Sequence, residues 1–208
     1  MAKPLFIAEH ACHAHGLLGR LISKIMAFST AKENRRAIEL LATKGAKSIL
    51  DFGCGHGRWL EPLRRLSNGA HVVGIDYADA MIKEASNRNK DLITSGHIQL
   101  VQSKGSTLPF EDGYFDKILT MHTVYFLHPL EDYLSELYRL TAPKGDLLIG
   151  FRPGEDPLLA QSLPCEIYRI RTTDEIQTLA QDAGFQIIET ITATPPAKSM
   201  VWLKLQKS

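Results

Sequence analysis

Cysteine is scarce in this chain, and the few cysteines stand far apart. Three occur in 208 residues, at positions 12, 54 and 165. An odd number of widely spaced cysteines argues against a disulfide framework and is typical of proteins from a reducing compartment. We therefore expect a cytoplasmic protein.

Long apolar runs and an excess of charge of one sign are also missing. No stretch approaches the roughly 18 consecutive apolar residues that a membrane-spanning helix needs, and the short run at residues 5–8 is interrupted by Glu9. Lysine and arginine number 24 against 23 aspartate and glutamate, so the formal net charge is +1. A balanced charge gives no reason to expect nucleic acid or a membrane as partner.

Potential metal ligands cluster near the N-terminus, at His10, Cys12, His13 and His15. The cluster lacks a second ligand pair at a spacing typical of a closed zinc site. We therefore predict no metal site and interpret these side chains as part of a flexible N-terminal segment.

The most informative stretch is a glycine-rich turn between a predicted strand and a predicted helix. Residues 49–52 are a short, mainly apolar run, and the apolar residues after the turn recur at helical spacing. Gly53, Gly55 and Gly57 stand between them, directly after Asp51 and Phe52. Glycine lets a loop approach a ligand closely, and a helix offers free N–H groups at its N-terminus. The pattern predicts a ligand-binding loop.

The glycine spacing distinguishes two kinds of ligand-binding loop. The dinucleotide fingerprint has glycines at relative positions one, three and six, but the sixth position here is Arg58. The sequence instead has the pattern acid-x-Gly-x-Gly-x-Gly, from Asp51 to Gly57. This pattern resembles the first motif of the class I S-adenosylmethionine-dependent methyltransferases.

A second acid ends the next predicted strand. Asp76 follows Gly57 at a separation close to the roughly 20 residues at which a carboxylate binds the ribose hydroxyls of a nucleotide. A carboxylate can accept two hydrogen bonds from a diol at once. Asp76 also fits as the N-cap of the following helix. A nicotinamide enzyme would use the same acid, so this residue alone does not separate the two families.

Two later stretches extend the resemblance. Leu-Pro-Phe followed by Asp-Gly-x-Phe-Asp, at residues 108–116, and the run that contains Pro-Lys-Gly, at residues 137–149, are similar to stretches of small-molecule methyltransferases of this class. The resemblance covers roughly residues 45–190. Such proteins commonly hold the adenine amino group with an acid after the third strand, and Lys104, Gly105 and Ser106 take that place here.

The resemblance implies roles for individual residues. The glycines would shape the pocket for the methionine part of the donor, with Asp51 beside its amino group, Asp76 on the ribose and Tyr77 against the adenine. The candidate cofactor-binding residues are, in chain order, Asp51, Gly53, Cys54, Gly55, Gly57, Asp76, Tyr77, Met81, Gly105, Ser106, Met121 and His122.

His122 is also the candidate catalytic residue. It follows the predicted fourth strand at residues 117–121, and ligands of open α/β sheets lie at the carboxyl ends of the strands. Histidine suits general-base work near neutrality. If the acceptor is a hydroxyl, His122 would take its proton, whereas a thiol, amine or metalloid acceptor needs no base. The alternative is a packed histidine without a catalytic role.

The order of the elements predicts an α/β fold. The last two predicted strands, residues 185–191 and 200–205, have no helix between them and imply an antiparallel hairpin at the sheet edge. The resemblance implies a Rossmann-like three-layer sandwich, whose seven-stranded, mostly parallel sheet ends in that hairpin. We expect one compact domain, divided into an N-terminal helical segment at residues 1–44 and a methyltransferase domain at residues 45–208. A helix at residues 17–28 would either pack on the sheet or form a lid.

The predicted function is methyl transfer from S-adenosylmethionine to a small molecule by in-line displacement, with S-adenosylhomocysteine as product. The small-molecule preference rests on the balanced charge, on the missing Asx-Pro-Pro-aromatic motif of DNA amino-methylases and on the lack of an added recognition domain. We expect acceptor contacts in the proline-rich stretch at residues 152–170. The alternatives are a non-catalytic S-adenosylmethionine-binding protein, a nicotinamide-dependent oxidoreductase and a methylase of protein or RNA.

Overall fold

The computed structural model describes residues 30–156, 159, 168–193 and 199–208. Three predicted features lie wholly or partly outside these residues: the helix at 17–28, the histidine-containing segment at 10–15, and the middle of the proline-rich stretch at 152–170. The lid and the division of the chain at residue 44 therefore stay predictions.

The described part of the chain alternates between helices and strands. The helices are α1 (Ala31–Leu41), α2 (Leu60–Ser67), α3 (Asp79–Arg88), α4 (Lys90–Thr94), α5 (Leu130–Leu140) and α6 (Thr173–Asp182). The strands are β1 (Ser48–Phe52), β2 (His71–Asp76), β3 (Ile98–Gln102), β4 (Phe115–Met121), β5 (Thr141–Phe151), β6 (Gln186–Ala193) and β7 (Met200–Gln206).

The strands form one seven-stranded sheet in the order β3-β2-β1-β4-β5-β7-β6. The first five strands pair in parallel, and β7 is antiparallel to both β5 and β6. The predicted mostly parallel sheet with a C-terminal antiparallel hairpin is confirmed. Because β1 lies between β2 and β4, the strand order switches beside β1, where α/β sheets bind their ligands.

Helices cover both faces of this sheet, and neighbouring strand residues point to opposite layers. Ile49 packs into the layer that holds α1 and α2, whereas Leu50 packs into the layer that holds α5 and α6. On β5, Leu148 likewise packs into the layer of α1 and α2, and Leu147 packs into the layer of α5 and α6. This two-sided burial explains why the central strands are apolar at consecutive positions rather than alternating.

Two elements differ from the sequence-based expectation. Helix α4 was not predicted, because residues 87–94 are mostly polar and show no apolar period. Strand β5 begins at Thr141 instead of Asp146, and its pairing with β4 is irregular between Phe115 and Lys117. The described residues include no helix long and apolar enough to cross a membrane.

Candidate functional site

The predicted site residues lie at the carboxyl ends of β1, β2, β3 and β4. Asp51 is the second-last residue of β1, and Asp76 is the last residue of the neighbouring strand β2. Met121 ends β4 on the other side of β1, and His122 follows it. The sheet topology thus brings to one edge residues that are up to 71 positions apart (51 to 122).

The glycine-rich loop folds back onto β2 through its backbone. The N–H groups of Gly53 and Cys54 both donate to the carbonyl oxygen of Ile75, at 2.8 and 2.9 Å. The N–H of Gly57 donates to the carbonyl of Cys54 at 3.1 Å and closes the turn. These three hydrogen bonds hold the loop through its backbone.

Close packing explains two of the three glycines. A Cβ on Gly53 would lie 2.0 Å from Cγ2 of Thr123, and one on Gly57 would lie 2.7 Å from Cβ of Ala85. Gly55 is different, because a Cβ there would meet nothing within 4 Å. Positions 53 and 57 require glycine because a larger side chain would overlap neighbouring residues of the protein. Gly55 instead leaves space on the side from which a ligand would approach.

Asp76 holds the loop in place. One of its carboxylate oxygens accepts from the N–H of Gly55 at 2.8 Å, and the other accepts from the N–H of Ala78 at 2.9 Å. Burial raises the pKa of Asp76, and these hydrogen bonds oppose that effect. An ionised carboxylate offers about four lone-pair sites, so it can accept from a ligand donor in addition to these N–H groups. The sequence predicted the ribose contact but not this support of the loop.

Asp51 is buried, with 5% of its surface exposed. No residue in the described ranges donates a hydrogen bond to its carboxylate. Burial, and secondly the charge of Asp76, raises the pKa of Asp51 to about 7. A buried carboxyl group beside a second, partly buried one favours a ligand that carries positive charge.

The residues predicted around an adenine lie further along the same edge. Tyr77 is 44% exposed, and Nζ of Lys104 lies 5.7 Å from the centroid of its ring. Met81 is buried and forms with Ala78 a small apolar cluster separate from the two main layers. Gly105 is exposed, in the loop after β3. An exposed ring beside an apolar cluster is suited to stacking a flat base.

Two predicted site residues, Cys54 and Met121, have buried side chains. Cys54 is a buried free cysteine, and burial raises its thiol pKa well above the usual range. Its side chain packs in the core layer that also contains Met121. A buried neutral thiol is unreactive, so we assign no chemistry to the side chain of Cys54.

The structure adds one residue that the sequence did not indicate. Nε2 of His122 lies 2.8 Å from Oε2 of Glu33 on α1. Residue 33 lies off the apolar stripe of its helix, and nothing in the local sequence signals a contact across 89 residues. The backbone of His122 has a φ of +59°, which is uncommon for a residue with a side chain.

A parallel α/β sheet with a terminal antiparallel hairpin, a glycine-rich loop after β1 and an acid at the end of β2 define the class I methyltransferase architecture. Residues 50–149 match a family described as a methyltransferase domain. The chain thus carries a class I S-adenosylmethionine-dependent methyltransferase domain, as the sequence predicted.

Known proteins agree with this assignment. The demethylmenaquinone methyltransferase of Thermus thermophilus is 32% identical over 130 residues, which cover 62% of this chain and 58% of that protein. The magnesium protoporphyrin IX methyltransferase of Synechocystis, solved with bound S-adenosylhomocysteine, has a TM-score of 0.69 at 19% identity and covers 98% of this chain and 94% of its own.

A methyltransferase solved in complex with the Haloferax volcanii Trm112 methyltransferase activator has a TM-score of 0.76 at 17% identity, with 99% of both chains covered. Likenesses at this identity show the fold alone. The chain spans between half and three fifths of the length of several curated relatives that it matches.

Proposed function

We propose that this protein transfers a methyl group from S-adenosylmethionine to a small molecule. The observation that carries the proposal is the pair of acids at neighbouring strand ends, the buried Asp51 and the partly buried Asp76, beside the open side of the glycine-rich loop at Gly55. S-adenosylmethionine bears an ammonium group and a sulfonium, so its charge matches this pair.

Each part of the site has a task in holding the donor. Asp51 faces the amino group, Asp76 accepts from the ribose diol and Tyr77 packs against the base. When bound, S-adenosylmethionine supplies a methyl group that its sulfonium already activates for transfer. The protein therefore contributes mainly by orienting the acceptor, and orientation is worth roughly 7–11 kcal/mol in favourable cases.

His122 takes the acceptor's proton where the acceptor is a hydroxyl. It lies at the carboxyl end of β4, across β1 from the β2 end where Asp76 lies. Its neighbours at this edge, Met121 and Val124, are buried, which limits access of water. Imidazole is the side chain used most often as a general acid or base in catalysis.

Relatives support a small-molecule acceptor. By their names, the Thermus protein acts on demethylmenaquinone and the Synechocystis protein on magnesium protoporphyrin IX. The formal net charge of +1 gives no reason to expect RNA as the acceptor. The few, widely spaced cysteines support a cytoplasmic location.

The carboxylate pair argues against the nicotinamide alternative. In a dinucleotide fold the pyrophosphate lies against the glycine-rich loop and the helix N-terminus. Asp51 stands two residues before Gly53, the first glycine of that loop, and a carboxylate there would repel a pyrophosphate. Arg58 at the third glycine position of the fingerprint argues in the same direction.

Thermal unfolding with S-adenosylhomocysteine, and separately with NAD⁺ and NADH, tests the donor. A ligand at a hundredfold excess over its Kd adds about 2.7 kcal/mol to the free energy of unfolding, and each kcal/mol moves Tm by roughly 2–4 °C in a chain of this size. We expect a shift with the homocysteine compound alone. A shift with the nicotinamides alone would contradict the proposal.

Turnover then separates an enzyme from a binding protein. Radiolabelled methyl from S-adenosylmethionine should appear in a member of a panel of quinols, phenols and porphyrins. The Asp51→Asn variant is the matched control, because it keeps the shape of the site and removes its charge. Donor binding without transfer to any small molecule, protein or RNA would favour a non-catalytic role.

A further inference from the structure

We propose that Glu33 is a positioning residue for His122, so that the helix before the glycine-rich loop contributes to the reaction. This inference rests on the proposed function, in which His122 receives a proton from the acceptor. The two side chains meet at 2.8 Å, and their exposed fractions are only 17% for Glu33 and 19% for His122.

The contact determines which imidazole nitrogen is available. A carboxylate at Oε2 of Glu33 accepts a hydrogen bond from Nε2–H of His122, and this fixes the neutral tautomer with its lone pair on Nδ1. When Nδ1 takes a proton, the same carboxylate stabilises the imidazolium that forms. A carboxylate that orients a basic histidine has this role in other proton-transfer sites.

The backbone of His122 restricts its direction further. Its φ of +59° is a left-handed conformation, which is unfavourable for a residue with a side chain. The N–H of His122 donates to the carbonyl of Gly150 at 2.8 Å, and this contact holds the turn against β5. Strained residues of this kind persist where the surroundings hold them, often at functional sites.

Glu33 is held as firmly as its partner. Ala37, Ile38 and Leu41 bury one face of α1 against the sheet. Nε1 of Trp202 on β7 donates to the backbone carbonyl of Glu33 at 3.2 Å. A carboxylate on a packed helix is positioned more precisely than one on a loop.

In the resulting step, the acceptor hydroxyl loses its proton to Nδ1 of His122 as its oxygen bonds to the methyl carbon. The bond between that carbon and sulfur breaks, and its electron pair stays on sulfur. Glu33 remains ionised throughout, and His122 later releases the proton to water.

The test combines turnover with a measurement that needs no donor. Glu33→Met keeps the side-chain length and removes the acceptor oxygens, whereas Glu33→Gln keeps one neutral acceptor. Glu39→Gln is the matched control, because Glu39 lies on the same helix with 57% of its side chain exposed. ¹⁵N–¹H correlation spectra of the imidazole report the tautomer of His122 in the free protein.

We expect the Nε2–H tautomer in the wild type and in Glu39→Gln, and a mixture of tautomers in Glu33→Met. Turnover of Glu33→Met should fall by about tenfold to a hundredfold, part of the roughly 10²–10⁴ that general-base catalysis contributes. Affinity for S-adenosylhomocysteine should stay within about twofold of wild type, and Glu33→Gln should retain intermediate turnover.

In a His122→Ala background the Glu33→Met change should have no further effect, because the two residues act as one unit. An unchanged tautomer together with unchanged turnover in Glu33→Met would overturn the inference. So would an equal loss in both backgrounds, which would indicate a purely structural contact. If the wild type transfers no methyl group, the proposed function fails, and the spectra still decide whether Glu33 sets the tautomer.

Discussion

Asp51 and Asp76 lie at the carboxyl ends of neighbouring strands, the first buried and the second partly buried, and the charge of Asp76 helps to raise the pKa of Asp51 to about 7. Burial is the larger cause. The pair is unfavourable in the protein alone, because each ionised group disfavours the other and neither is well solvated. A cationic ligand relieves this repulsion. The arrangement therefore favours binding of such a ligand, at a cost in the stability of the ligand-free protein.

Donor binding should therefore depend on pH near neutrality. Below about pH 7 the carboxyl of Asp51 holds a proton, and an ammonium group must expel it to bind. We expect affinity for S-adenosylhomocysteine, which keeps the amino group, to weaken by up to about tenfold for each pH unit below 7. Calorimetry in buffers of different ionisation enthalpy should detect the released proton at pH 6 and little release at pH 8.

The Asp51→Asn variant provides the control for this pH dependence. It should bind more weakly than wild type at pH 8, and its affinity should vary little between pH 6 and pH 8. A wild-type affinity that is flat over this range, with no proton released, would contradict the role given to Asp51.

The same group should affect folding with the opposite sign from most acids. Its pKa is 3.8 ordinarily and about 7 in the folded chain, so between these values the folded chain holds a proton that the unfolded chain has released. Its contribution to the free energy of unfolding is greatest at low pH and falls as the pH rises, by at most about 1.4 kcal/mol for each pH unit.

Urea unfolding of wild type and Asp51→Asn at pH 5 and pH 8 measures this effect, because other titrating groups largely cancel in the difference. The variant should gain stability relative to wild type as the pH increases. A constant difference between the two proteins would show that Asp51 titrates near its ordinary pKa.

Asp76 should matter for both the loop and the ligand. Asp76→Ala removes the acceptors of the Gly55 and Ala78 N–H groups and those offered to a ribose. Hydrogen bonds to a charged group are worth about 1.5–3 kcal/mol, so we expect affinity for S-adenosylhomocysteine to fall by about tenfold to a hundredfold. Asp79→Ala is the control, because Asp79 is an exposed acid paired with Lys83 on α3. Unchanged affinity in Asp76→Ala would remove the ribose assignment.

The sequence predicted the parts of this protein that depend on local pattern. The strands around Ile49 and Leu148 were predicted from short apolar runs, and the ligand-binding loop from the glycines after Asp51. These features depend on residues close in sequence, so periodicity and spacing indicate them. The terminal hairpin was predicted because no helical stretch separates its strands.

Contacts between distant elements could not be predicted in this way. Helix α1 precedes β1 in the chain but packs against β4 and β5. This packing brings Glu33 to His122, which follows β4. The absence of a described donor to Asp51, and the direction of the Cys54 side chain into the core, likewise depend on packing. Such features follow from the assembled layers and have no counterpart in local composition.

Replacing Gly53 and replacing Gly55 should affect stability and ligand affinity to different extents. Both have positive φ, at +83° and +55°, so an alanine costs roughly 1–2 kcal/mol at either. Gly53→Ala also places a Cβ 2.0 Å from Cγ2 of Thr123, and overpacking adds about 1–3 kcal/mol. Urea unfolding should therefore show the larger loss of stability for Gly53→Ala, and Gly55→Ala should lose more affinity for S-adenosylhomocysteine relative to its stability loss.

Thr123→Ser separates the overlap from the backbone strain. Serine lacks Cγ2 but keeps the hydroxyl that lies against Oγ1 of Thr120. In the double variant Gly53→Ala/Thr123→Ser the overlap is removed and only the strain of the positive φ remains. We expect it to recover most of the extra loss and approach the stability of Gly55→Ala. If Thr123→Ser gives no recovery, the conformation of the loop, and not its contact with Thr123, is what requires glycine at position 53.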